Sequence, residues 1–173
     1  KLETKIMKEG DNLLVDELNS PKKYPVQDIS IEDLLGRGEI KLEQNEIRSY
    51  LTDKVVVVTG AGGSIGSELC RQIVKFKPKQ LLMIDINENS LYMLEQEFNR
   101  NRTHGTISES IEIISLIASI REFNAINGIF KEYHPDVVFH AAAHKHVPLM
   151  ETRPMEAIKN NVFGTNNVIN ACI

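Results

Sequence analysis

The sequence predicts an α/β fold in which helices cover both faces of a parallel β-sheet. Three observations support this prediction. From about residue 54, short apolar runs alternate with segments of helical periodicity. Two of these runs, residues 55–58 and 81–84, contain no polar residue, as expected for strands buried on both faces. A glycine-rich segment, residues 60–66, stands where the first run meets the first helical segment, which indicates a tight turn.

The elements follow one another in a regular order. Strands are predicted over 55–58, 81–84, 111–116 and 137–140, and helices over 64–75, 87–100, 122–133 and 154–173. Parallel strands joined by helices in this way have right-handed crossovers. The order predicts a Rossmann-like, doubly wound parallel sheet that is truncated before its C-terminal strands and its substrate-binding part.

Residues 1–52 differ from the rest of the chain. They are polar and are interrupted by Pro21 and Pro25, and they contain too few apolar residues to fold alone. Short helices are expected over 30–36 and 45–51. We interpret residues 1–52 as an arm or linker from a preceding region, and residues 53–173 as an incomplete Rossmann-like domain.

The bulk composition narrows the class of function. The 173 residues carry a net charge of −4, which argues against nucleic acid as a partner. Two cysteines, Cys70 and Cys172, form no disulfide framework and indicate a reducing compartment. Because no apolar run approaches the roughly 20 residues of a membrane helix, we expect a soluble, cytoplasmic chain.

The strongest functional motif is Thr-Gly-Ala-Gly-Gly-Ser-Ile-Gly at residues 59–66. Its glycines fit G-x-x-G-x-x-G, whereas a phosphate-binding Walker loop would need Gly-Lys-Ser/Thr. Gly60 permits the turn after the strand, Gly63 lets a pyrophosphate approach the main chain, and Gly66 lets the helix pack closely. The main-chain amides that begin the helix would then bind the phosphates.

An acidic residue, Asp85, ends the second predicted strand, 19 residues after Gly66. An acid at this position hydrogen-bonds the adenosine ribose. It can also cap the helix that starts near Asn87, and both roles are compatible. No Arg or Lys lies between residues 85 and 96, so charge favours NAD over NADP. Ser119, after the third strand, is placed to reach the adenine edge, with Arg121 near it.

Two segments carry a resemblance to known proteins. Residues 58–68, Val-Thr-Gly-Ala-Gly-Gly-Ser-Ile-Gly-Ser-Glu, resemble the extended short-chain dehydrogenase/reductase superfamily. Residues 140–151, His-Ala-Ala-Ala-His-Lys-His-Val-Pro-Leu-Met-Glu, are similar to the polysaccharide-biosynthesis, CapD-type nucleotide-sugar 4,6-dehydratases and epimerases. Residues 160–168 continue the match. Residues 33–37 resemble the segment that precedes this domain in long, membrane-anchored members.

The resemblance implies a UDP-N-acetylhexosamine substrate and tightly held NAD(P). The sugar would be oxidised transiently at C4, water eliminated across C5–C6, and hydride returned to C6, in the biosynthesis of capsule, O-antigen or another surface polysaccharide. Members often use NADP despite an acid at the position of Asp85, so NAD and NADP both stay open. A nucleotide-sugar epimerase and a non-catalytic dinucleotide-sensing module are the alternative functions.

Matching positions to the family yields a set of expected cofactor-binding residues. They are Gly60, Gly63, Ser64, Ile65, Gly66, Asp85, Ile86, Asn87, Ser90, Ser119, Ile120, Ala141, Ala142, Lys145 and Asn161. Lys145 is also expected to contact the sugar nucleotide. The family usually has an acid where Ser119 stands, which leaves the adenine contact there open.

Catalytic residues are expected beyond Ile173. The superfamily uses a base, usually Tyr, four residues before a Lys. Only Tyr50 and Lys54 show this spacing, and we interpret the match as coincidence because it precedes the first strand. Some long members replace the tyrosine with methionine. We therefore expect this chain to bind cofactor without turnover.

Two further expectations concern metal and assembly. His140, His144 and His146 lie close in sequence, but only Glu151 could join them, so no metal site is assigned. The helix at 154–173 is a usual pairing surface in the superfamily, so a homo-oligomer is expected. The full-length protein could be anchored in the membrane, with this domain on the cytoplasmic side.

Overall fold

A computed structural model of the chain describes residues 5–6, 27–28 and 44–173. The chain divides into two compact units, Lys1–Leu42 and Glu43–Ile173. In the first, strand β1 (Lys5–Ile6) pairs antiparallel with β2 (Gln27–Asp28). The helix expected over 30–36 and the resemblance at 33–37 lie outside the described residues.

The second unit contains the alternating strands and helices that the sequence predicts. Its strands are β3 (Val55–Thr59), β4 (Gln80–Asp85), β5 (Glu112–Ile117) and β6 (Val137–His140). Its helices are α1 (Gln44–Leu51), α2 (Ser64–Ile73), α3 (Glu88–Thr103), α4 (Phe123–Tyr133), α5 (Val147–Thr152), α6 (Pro154–Ala157) and α7 (Thr165–Ala171). A 3₁₀ turn, Val74–Phe76, follows α2, and a π-helical segment, Ile158–Gly164, joins α6 to α7.

The four strands of the second unit form one parallel sheet in the order β5-β4-β3-β6. The chain adds strands on one side of β3 as far as β5 and then crosses to the other side to form β6. This reversal creates a switch point at the C-terminal ends of β3 and β6, where ligands bind in open α/β sheets. The predicted Rossmann-like fold class is confirmed.

Both faces of the sheet are covered by helices, because alternate residues of β3 point to opposite sides. Val56 and Val58 belong to one buried cluster with Cys70 and Phe98 of α2 and α3. Val55 and Val57 belong to the second cluster, which includes residues of α4 and α7. Burial raises the pKa of the Cys70 thiol to about 12, so this cysteine is an inert core residue.

Helix α1, which sequence analysis placed in the N-terminal arm, contributes to the core of the second unit. Leu51 is only 3% exposed, and Ile47 packs against the same cluster. The origin of residues 1–52 in a preceding region stays a prediction. Among the described residues, no helix has both the length and the apolar character needed to cross a membrane.

The prediction of a single α-helix over 154–173 is wrong. The segment begins with α6, widens into the π-helical turn at Ile158–Gly164 and continues as α7, and the preceding α5 was not predicted. Within the wide turn, the neighbouring residues Asn160 and Asn161 both hydrogen-bond the loop that follows β6.

Candidate functional site

A cleft of about 270 Å³ opens at the C-terminal ends of the strands, beside the switch point. It is lined by Gly60, Gly63, Ile84, Asp85, Ile86, Ala118, Ser119, Ile120, Arg121, Ala141, Ala142, Ala143, His144 and Asn160. The cleft thus brings together predicted residues from the loops after β3, β4, β5 and β6. Six lining residues had not been assigned to the cofactor, namely Ile84, Ala118, Arg121, Ala143, His144 and Asn160.

The glycine-rich turn is packed so closely that it tolerates no side chain at two positions. Gly60 has φ +70°, and a Cβ there would lie 2.7 Å from the main chain of Ala141 and Ala142. A Cβ on Gly66 would lie 2.0 Å from the carbonyl oxygen of Gly60. Gly66 therefore packs against the turn itself, which is more specific than the predicted packing of helix on sheet.

The start of α2 presents main-chain amides instead of side chains. Its N-cap residue is Gly63, which has no side chain to cap the helix, and the amide of Ser67 donates to the Gly63 carbonyl at 2.9 Å. The amides of Ser64, Ile65 and Gly66 precede that bond, where a helix offers no carbonyl partner. These amides and the positive end of the helix dipole suit a phosphate group.

Ser64, Ile65 and Gly66 are not among the residues that line the cleft. The Ile65 side chain is 64% exposed. Gly66 has no side chain, so it could contact a ligand only through its main chain.

Asp85 braces the glycine-rich turn. Its carboxylate accepts hydrogen bonds from the amides of Gly62 and Asn87, each at 2.8 Å. The cap of α3 is Asn87, whose side chain accepts from the Ser90 amide at 3.0 Å. The capping role considered for Asp85 thus belongs to Asn87, and neither Asn87 nor Ser90 lines the cleft.

A directional chain of hydrogen bonds connects β3, β6 and the π-helical segment through His140. The Thr165 hydroxyl donates to the Asn161 carbonyl at 2.7 Å, so it must accept from Nε2 of His140, 3.0 Å away. Nδ1 of His140 is then free to accept the proton of the buried Thr59 hydroxyl at 2.6 Å. This arrangement needs a neutral imidazole, and burial lowers the pKa of His140.

The two asparagines of the π-helical segment have different positions. Asn161 holds the loop after β6, because its side chain accepts from the His144 amide and donates to the His144 carbonyl, both at 2.8 Å. Asn160 is 9% exposed and lines the cleft. Sequence analysis assigned Asn161 and missed Asn160, although the Asn-Asn pair itself was a signal. Lys145, next to the held residue, is exposed and does not line the cleft.

The possible metal ligands and the Tyr-x-x-x-Lys match found in the sequence form no site at the cleft. Within residues 44–173, no group of three His, Cys, Asp or Glu side chains is arranged to hold a metal ion. Tyr50 is 70% exposed in α1, and Lys54 pairs with Asp136 at 3.4 Å at the N-terminal ends of β3 and β6. The Tyr50–Lys54 pair therefore lies at the edge of the sheet opposite the cleft, as expected.

The stability of the protein is expected to fall below about pH 6.5 because of His140. The folded state holds its pKa below the ordinary value of 6.5, so the unfolded state binds a proton first as the pH falls. The stabilisation is fully present above pH 6.5 and is lost as the pH drops towards the folded-state pKa. Urea unfolding at pH 7.5 and pH 5.5 measures the difference, which His140→Gln should reduce.

The matched control for that experiment is His104→Gln, which removes an exposed imidazole at the end of α3, outside the cleft. An equal loss of stability on acidification in the parent protein and in His140→Gln would contradict the proposed hydrogen-bond chain.

The fold and the cleft define a class of protein: an α/β domain of the Rossmann-like type, with a glycine-rich turn at its switch point. The sequence pattern of the family described as polysaccharide biosynthesis protein matches residues 56–173. The chain belongs to this family, which confirms the resemblance found in the sequence.

Individual proteins agree with this assignment. The chain is 45% identical over 152 residues to the capsular polysaccharide biosynthesis protein CapD of Staphylococcus aureus, covering 88% of this chain and 24% of CapD. It is 32% identical over 120 residues to a UDP-N-acetylglucosamine 4,6-dehydratase (inverting) of Campylobacter jejuni, covering 69% of this chain and 32% of the enzyme. The chain therefore spans about a quarter to a third of the length of these relatives.

A solved structure shares the fold. The UDP-glucose-4-epimerase of Stenotrophomonas maltophila, which was solved with bound NAD, superposes with a TM-score of 0.55 at 22% identity. The match covers 68% of this chain and 33% of the epimerase. At this identity the likeness supports the fold alone.

Proposed function

We propose that this chain is the NAD(P)-binding part of a nucleotide-sugar 4,6-dehydratase that acts in surface polysaccharide biosynthesis. The observation that carries the proposal is the glycine turn packed against the start of α2, beside a cleft at the switch point. Kinship with the C. jejuni dehydratase and with CapD supplies the substrate class, a UDP-N-acetylhexosamine.

In this proposal, the dinucleotide would bind in an extended form across the C-terminal ends of the strands. Its diphosphate would lie against the amides of Ser64, Ile65 and Gly66, the uncapped first turn of α2. Asp85, at the end of β4, is near the place of the adenosine ribose, so the base would extend towards β5. The nicotinamide would then extend the other way, towards Ala142 and Asn160 near β6. When bound, the nicotinamide supplies a reversible hydride acceptor.

The loop after β6 would serve the sugar nucleotide. The side chain of Asn161 hydrogen-bonds both the amide and the carbonyl of His144. These two bonds position the main chain from which the Lys145 side chain extends. Lys145 is exposed and follows His144, which lines the cleft, and an ammonium suits the diphosphate of a UDP-sugar. Lys145 is thus proposed to bind substrate, and Asn161 to position the loop that carries it.

The described residues place no Tyr-x-x-x-Lys pair at the cleft, because Tyr50 and Lys54 lie at the opposite edge of the sheet. We therefore propose that this chain binds the dinucleotide without converting the sugar. The base would be contributed by other parts of the full-length enzyme.

Thermal unfolding with NADH, NADPH and UDP-N-acetylglucosamine, added singly and in pairs, tests the proposed function. A dinucleotide at 100 times its Kd is expected to stabilise the protein by about 2.7 kcal/mol. Product analysis after incubation of the chain with UDP-N-acetylglucosamine and an oxidised cofactor, NAD+ or NADP+, is expected to show no 4-keto sugar. Failure of both dinucleotides to shift the unfolding transition would contradict cofactor binding. A 4-keto product would contradict the proposal that this chain binds the cofactor without converting the sugar.

A further inference from the structure

The end of the cleft beside β5 presents two polar side chains, Ser119 and Arg121, that could meet a base. Its lining residues from the loop after β5 are Ala118, Ser119, Ile120 and Arg121. The sheet order β5-β4-β3-β6 places this loop on the far side of Asp85 from the glycine turn. If the dinucleotide binds as proposed above, on which this inference rests, its purine base lies here.

Most polar groups at this end already have partners. The Arg121 guanidinium donates to the Glu156 carboxylate at 2.9 Å, and Glu156 also pairs with Lys159 at 3.1 Å. The carbonyl groups of Ile120 and Arg121 accept from the side-chain amide of Asn167, at 3.0 and 3.1 Å. All of these groups are therefore engaged, and each has a single role: the carbonyl and carboxylate oxygens can only accept, and the Arg121 guanidinium can only donate.

The Ser119 hydroxyl differs from these groups. It accepts a weak hydrogen bond from the Arg121 amide at 3.3 Å, and it keeps its own proton and a second lone pair. A hydroxyl can accept from the 6-amino group of adenine or donate to the 6-oxo group of hypoxanthine. A carboxylate can accept only, so it would favour the amino form and repel the oxo form.

We propose that Ser119 determines the base specificity of this cleft, and that its hydroxyl admits dinucleotides with either a 6-amino or a 6-oxo purine. Arg121 keeps the loop in position through Glu156 and does not discriminate between the two bases. The ligand class is therefore a nicotinamide purine dinucleotide, and not an adenine dinucleotide alone.

The test is a fluorescence titration of the purified chain with NADH and with the reduced nicotinamide hypoxanthine dinucleotide. The fluorescent group, the reduced nicotinamide ring, is the same in both ligands. The parent protein is expected to bind the two with Kd values within about threefold of each other, because one hydroxyl serves both bases. Ser119→Asp should favour NADH by about tenfold or more, because its carboxylate only accepts. Ser119→Ala should weaken both ligands by the same factor.

Ser110→Asp is the matched control, because it adds the same charge at an exposed serine near the opposite end of β5. It should leave the ratio of the two Kd values unchanged. If the parent protein bound NADH ten times more tightly than the hypoxanthine dinucleotide, this inference would be overturned and the proposed function would stand. The same holds if a folded Ser119→Asp variant had the same ratio of Kd values as the parent protein. Absence of binding by both dinucleotides would overturn the proposed function together with this inference.

Discussion

Gly66→Ala is expected to weaken NADH binding by at least about 30-fold, which corresponds to ~2 kcal/mol. The added methyl group would lie 2.0 Å from the carbonyl oxygen of Gly60 and 2.9 Å from Cα of Ala61. Because both neighbours are main chain, the first turn of α2 must move away from the glycine turn. The amides proposed to hold the diphosphate would then lose their common orientation, and each charge-assisted hydrogen bond lost costs about 1.5–3 kcal/mol.

The same substitution should lower the free energy of unfolding by about 1–3 kcal/mol, the usual cost of overpacking. Gly128→Ala is the matched control, because Gly128 lies within α4 and a Cβ there meets nothing within 4 Å. Alanine favours a helix over glycine by about 1 kcal/mol, so this variant should be slightly more stable and should bind NADH normally. Unaltered binding in Gly66→Ala would contradict the role assigned to the turn.

Gly60→Ala is expected to have a comparable effect for two separate reasons. The residue has φ +70°, a conformation that costs an L-residue about 1–2 kcal/mol. Its Cβ would also lie 2.7 Å from the main chain of Ala141 and Ala142, so the loop after β6 must shift. Strain and overpacking together predict a loss of roughly 2–5 kcal/mol in the free energy of unfolding, measurable in urea.

Gly105→Ala separates these two contributions. Gly105 has φ +71°, but a Cβ there has no neighbour within 4 Å. This variant should lose only the cost of strain and should keep its affinity for NADH, whereas Gly60→Ala should lose both stability and affinity. Equal losses of stability in the two variants would show that the close approach of Gly60 to the loop after β6 contributes nothing.

The elements of the sheet could be predicted because their sequence signal is local. The valines of β3 and the apolar run of β4 are buried on both faces, and an unbroken apolar run is typical of such strands. The glycine turn was equally predictable, because a positive φ at Gly60 and close packing at Gly66 both require glycine. The spacing of Asp85 from the glycine turn identified it as a site residue. Its hydrogen bonds to two main-chain amides could not be predicted from the sequence.

The loop after β6 and the helix behind it could not be predicted from local patterns. In the π-helical segment, Asn160 and Asn161 both bond a loop 17–18 residues earlier in the chain. Helical periodicity contains no information about such tertiary contacts, so the segment was expected to be regular. The same contacts bring Asn160 and His144 to the cleft, which explains why sequence analysis missed both.

The most direct measurement is a crystal structure of the chain with bound NAD. The account predicts that diphosphate oxygens lie within hydrogen-bonding distance of the amides of Ser64, Ile65 and Gly66, with the adenosine ribose beside Asp85. A dinucleotide bound at another site, or a diphosphate held by side chains away from the start of α2, would contradict it.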